Sequence, residues 1–128
     1  MSRNISEEFC KAVKLVLQND GAILTEFADF PNSLTDSRNL YIVRYYAQDE
    51  APFHTVKNAH QNGYYHAYHA KLNPIIVLNC KMPHREQMLL DREFGKVQYI
   101  DKDFLLDEAA SCGLAVYEGI KLFTDRRV

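Results

Sequence analysis

Residues 73–78, Asn73-Pro74-Ile75-Ile76-Val77-Leu78, decide the fold. After the Asn73-Pro74 turn signal, four apolar residues follow without a polar break. A strand with one wet face alternates apolar and polar residues. A strand covered on both faces is apolar throughout, as in parallel sheets lying under helices. The next residues keep that rhythm. Pro83 suits the first turn of a helix that carries Met88, Leu89 and Phe94 and ends at Gly95. Residues 97–100 read as the next strand, Asp101 or Asp103 caps a helix through Leu105, Leu106 and Ala109, and Cys112-Gly113 stops it. Residues 114–117 read as a further strand, which residues 119–123 extend or turn back. The C-terminal half is therefore expected to run β-α-β-α-β.

Upstream, Asn4 and Glu7 have capping-box spacing, with Ser6 as a competing cap, and Ile5, Phe9, Val13 and Val16 recur at helical steps. Asn19-Asp20-Gly21 supplies the stop. Residues 22–27 read as a short strand and residues 31–39, rich in turn formers, as a loop. Residues 40–47, Leu-Tyr-Ile-Val-Arg-Tyr-Tyr-Ala, are β-branched and aromatic, and apolar on both faces except at Arg44, which makes an interior strand. The expected architecture is one α/β domain over residues 1–128, with a mixed, mainly parallel sheet and flanking helices.

Bulk properties narrow the classes. A chain of 128 residues, 47% hydrophobic and 25% charged, can close one core without metal or disulfides. Three cysteines, Cys10, Cys80 and Cys112, have no paired spacing and point to free thiols in a reducing, cytoplasmic setting. No apolar run approaches the roughly 18 residues of a membrane span, and the N-terminus does not read as a secretory signal. A formal charge of −2 excludes a generally basic nucleic-acid binder while leaving room for a local basic face.

The most unusual composition lies in residues 52–72, which hold four of the five histidines and three of the eight tyrosines. On a helix over residues 57–72, Ala59, Gly63, Ala67 and Ala70 form a stripe of small side chains that lets the backbone lie close to a sheet, with His66 on that side and partly buried. About 100° round, Lys57, His60, Tyr64, Tyr68 and Lys71 share a second face. Rings interleaved with cations there can stack planar groups and pair with anions. Gly63 weakens the helix, and a break at Asn62-Gly63 is one alternative. The plainer reading is that Tyr and His simply suit a half-buried helix surface.

Other chemistry is sparse. Asp101 and Asp103 flank Lys102 past a strand end, where ligands bind in parallel sheets, and Asn79, Cys80 and His84 occupy the equivalent end of the preceding unit. Two carboxylates there can hold a divalent cation, although a helix cap plus a solvated acid explains the pair as well. His66 and His69 have no further ligand at zinc spacing, no His-Glu-x-x-His or Gly-x-Ser-x-Gly is present, and no glycine-rich loop follows a strand. No metal and no cofactor are expected. Cys80 and Cys112 have no orienting base and read as inert thiols.

One order of elements is informative. A helix (5–17), strands (22–27, 40–47, 53–57), a helix (59–72) and a strand (75–78) resemble the restriction-endonuclease-like nuclease core. That resemblance implies an upstream acid, for which Asp36 is placed, and an Asp/Glu-x-Lys on the following strand, where Lys57 takes the lysine slot. Thr55 stands in the carboxylate slot, in Thr55-Val56-Lys57.

The function expected is a small binding protein acting by macromolecular contact, as an inhibitor, immunity or accessory factor, through Lys57, His60, Tyr64, Tyr68 and Lys71. A protein is the favoured partner over nucleic acid. The alternatives are a metal-dependent phosphodiester or nucleotide enzyme, including a degenerate nuclease core, using Asp36, Lys57, Asp101 or Asp103, and a nucleic-acid-binding module. Oligomeric state is not readable.

Overall fold

The run at 73–78 does find strands on both sides. In the computed structural model, which describes residues 4–19 and 21–125, β4 (Asn73–Leu78) lies parallel to β3 (Asn39–Arg44) on one edge and to β5 (Gln98–Ile100) on the other. Met1, Ser2, Arg3 and Asp20, which entered the readings of the N-terminus and of the first helix stop, lie outside the described residues. β1 (Thr25–Glu26) and β2 (Ser33–Thr35) continue the sheet antiparallel from β3, giving the order β1-β2-β3-β4-β5. Half of the four pairings are thus parallel, a more evenly mixed sheet than the sequence suggests.

Period-two alternation sends the strand residues into two cores. Leu40, Ile42, Ile76, Leu78 and Tyr99 face one side, where α2 (Phe53–Ala70) and α3 (His84–Phe94) pack through Val56, Ala59, Ala67 and Leu90. Val43, Ile75 and Val77 face the other side, against Phe9 and Val13 of α1 (Ile5–Leu17), Leu105 and Ala109 of α4 (Lys102–Ser111), and Ile120 of α5 (Leu114–Thr124). Both crossovers, β3-α2-β4 and β4-α3-β5, step the same way across the sheet. Crossovers of one hand must then put both helices on one face. Ile76, Val77 and Leu78 are fully inaccessible, and burying each side chain stabilises by about 1.5–3 kcal/mol.

Several expected elements hold. Asn4 caps α1 by accepting the Glu7 N–H at 3.2 Å, Pro83 precedes α3, Gly95 follows it, and Asp101 rather than Asp103 caps α4. Four expectations need correction. Residues 114–117 open α5 and form no strand. Their inward positions, Val116 and Tyr117, then Ile120, then Phe123, recur at three and four, a helical period invisible in a four-residue window. Residues 31–39 contain β2, hidden because Ser33 and Thr35 look like turn residues. Ser33 is buried beside Ile42, and the turn that follows is built by Asp36, whose Oδ1 accepts the N–H groups of Arg38 and Asn39 at 2.7 Å each. The strand read over 22–27 shrinks to two residues. Residues 53–57, placed as a strand by the nuclease resemblance, are the first turns of α2 behind Pro52.

Candidate functional site: the two sides of helix 2

Helix α2 runs unbroken through Gly63, because the glycine is what seats it. A Cβ there would stand 2.8 Å from Ile42 Cδ1, and Ala59 and Ala67 complete the close approach to the sheet. Ala70, expected in the same stripe, is turned outward.

His60 does not share an exposed face with its expected companions. It is fully buried. Its Nε2 lies 2.8 Å from the Gly95 carbonyl and its Nδ1 2.7 Å from the Tyr99 hydroxyl. A carbonyl can only accept, so Nε2 carries the proton and Nδ1 accepts from Tyr99. Burial pushes the His60 pKa down, outweighing the hydrogen bond to Gly95 and the Asp91 carboxylate 3.7 Å away, which both push it up. Burial likewise raises the Tyr99 phenol, so both groups stay neutral. Of the charged groups around it, Asp91 favours the imidazolium, while Tyr99 would have to give up its donor role. Unfolded histidine titrates near about pH 6.5. The unfolded chain therefore binds more protons between that value and the lower folded one. Stability from His60 is full above that window and is lost as pH falls through it. We expect the fall in urea-unfolding free energy between about pH 6.5 and 5 to be shallower in His60→Gln than in the parent chain; equal slopes would contradict this role.

The same network shapes the outer surface. Gly95 has φ +117°, and a Cβ on it would run into the Tyr64 ring, so Tyr64 rests on the glycine that His60 holds. Tyr64 is half-buried, and its ring lies stacked 6.4 Å from that of Tyr68, which is 71% exposed. From Tyr68 the rings continue through His69 (5.8 Å), Tyr65 (4.4 Å from His69), His66 (5.5 Å) and Phe30 (4.8 Å) to the Arg44 guanidinium, 4.7 Å over Phe30. Tyr65 is itself 59% exposed. Of the residues the spacing singled out, Tyr64 and Tyr68 are brought together. Lys57 is half-buried with its Nζ 5.6 Å over Phe94, and Lys71 is exposed at the helix C-cap, in a left-handed conformation. Tyr65, His69 and the Phe30–Arg44 end were missed. Phe30 and Arg44 are remote in sequence, but Tyr65 and His69 are four apart, a spacing open to inspection.

The remaining candidates separate. Asp36 organises the β2–β3 turn. Burial raises its carboxyl, but the Arg38 and Asn39 N–H groups, the Asn39 amide and the Arg38 charge more than offset that and leave it below its ordinary value. This turn enters β3, whereas Lys57 stands on the first turns of α2, beyond the other end of a strand about 17 Å long. They share no site. The nuclease order read over residues 5–78 is not kept, because residues 53–57, its third strand, are helical. Asp101 uses one oxygen for the Asp103 N–H (3.2 Å) and the other for the Met82 N–H (3.3 Å), while Asp103 is exposed. Their shared strand end opens on a shallow cleft of about 880 Å³ with Asp49, Glu50, Lys81 and Lys102 on its walls. Asn79 is buried in a backbone clamp, Cys80 is buried, and His84 is exposed at the start of α3.

No known protein family matches the chain, nor does any curated protein or solved structure. Among the described residues, no helix is long and apolar enough to cross a membrane.

Proposed function

We propose that this is a binding protein that works by macromolecular contact, as an inhibitor, immunity or accessory factor, with a protein as partner and the cytoplasm as its setting. Its contact surface is the outer side of α2. One observation carries the reading: the unbroken series of ring contacts from Tyr64 to Phe30, with Tyr65 and Tyr68 more than half exposed. The centres of protein interfaces are rich in tyrosine and poor in charge, and this surface has that composition. Its rings already brace one another, so binding orders few rotamers. The three cysteines, two of them buried, fit a reducing setting.

Tyr64 is not a clean probe, because it also packs on the core. Joint replacement of Tyr65 and Tyr68 by alanine should lower affinity for the partner captured from the native host by about 1–3 kcal/mol, the range of an aromatic anchor, and leave the melting temperature nearly unchanged. Equal affinity in a folded double variant would refute the assignment.

A further inference from the structure

Resting on that reading, we infer that the partner offers an acidic segment to the Tyr64–Tyr68 side of α2. Charge complementarity carries the argument. The 18 residues of α2 include no aspartate or glutamate, in a chain with 17 acidic residues and a net charge of −2. Along the chain, two lysines adjoin the Tyr64–Tyr68 pair or the glycine beneath it. Lys71 closes the helix three residues past Tyr68, and Lys96 follows Gly95, the glycine on which Tyr64 rests. Both lysines are exposed, and neither forms an ion pair among the described residues. Asp91, the carboxylate packed beneath this side, is turned inward, since its Oδ1 accepts the Val97 N–H at 3.1 Å. The surface is thus apolar at its centre, cationic at its margins and without acids along the helix, the complement of carboxylates flanking an apolar side chain.

A polynucleotide fits less well. Binding that rests on phosphates draws on some six to ten contacts. Two or three lysines on a net-acidic chain supply too few, whereas a short peptide needs only one or two pairs beside the stacked ring.

The probe is a fluorescein-labelled synthetic peptide of glutamates and aspartates around a central leucine. It is compared by anisotropy with its lysine-for-acid counterpart and with oligo(dT), at low and physiological salt. We expect the acidic peptide to bind the parent chain, to weaken as salt rises, and to lose at least about tenfold in affinity with the Lys71→Glu/Lys96→Glu variant. Both positions are exposed, so the variant's thermal melt should match the parent's. The inference is overturned if the lysine peptide binds as well, if charge reversal changes nothing, or if oligo(dT) binds more tightly. In that event the Tyr65/Tyr68 variant decides separately: if it still fails to hold the native partner, the contact face stands and only the acidic assignment falls.

Discussion

Val77→Asp yields no soluble, folded protein. Val77 is fully inaccessible in the middle of β4, opposite Val43 on one side and Ile100 on the other, with α1 and α4 residues over it. A carboxylate there has no water and no cation. Ionised or neutralised, it costs several kcal/mol, comparable to the whole stability of a domain this size. Ile23→Asp is the matched control, because Ile23 is 81% exposed and its replacement should fall within about 0.5 kcal/mol of the parent. A folded Val77→Asp protein, seen by circular dichroism and gel filtration, would remove β4 from the centre of the sheet.

Asn79→Ala loses about 3 kcal/mol in urea unfolding. The side chain is fully buried just past β4. Its Oδ1 accepts the Tyr46 N–H (2.8 Å), and its Nδ2 donates to the Tyr46 carbonyl (2.9 Å) and the Phe123 carbonyl (3.0 Å). One residue thereby ties the exit of β3 and the end of α5 to the central strand. Alanine leaves three backbone groups without that partner, and each such buried loss runs to about 1–3 kcal/mol before water or relaxation recovers part. A loss below about 1 kcal/mol would mean that solvent reaches the clamp freely.

How much of this was legible in the sequence depended on how local each cause is. The apolar run at 75–78, the Asn4–Glu7 cap and the Gly95 stop each act within a few residues, and each was readable. Ser33 is a strand residue only because Ile42 lies beside it, and residues 114–117 are helical because their inward face meets α1, so neither shows in its own segment. For the site, helical spacing correctly joined Tyr64 to Tyr68. It failed at His60, which spacing alone puts outside. The fold draws His60 inward because Gly95 and Tyr99, which follow in the next unit, supply partners for both ring nitrogens. Phe30 and Arg44 join the surface through the turn before β2 and the end of β3, which only the assembled sheet brings next to α2. At the strand ends, Asp101 proves committed to backbone on both oxygens.

The most direct test of the contact surface is amide hydrogen exchange, read by mass spectrometry, on the protein alone and with its captured partner. Protection is predicted over residues 64–71, and over the 28–32 segment that carries Phe30. Protection confined to residues 48–52, 81–82 and 101–103 at the strand ends, with α2 exchanging as in the free protein, would contradict it.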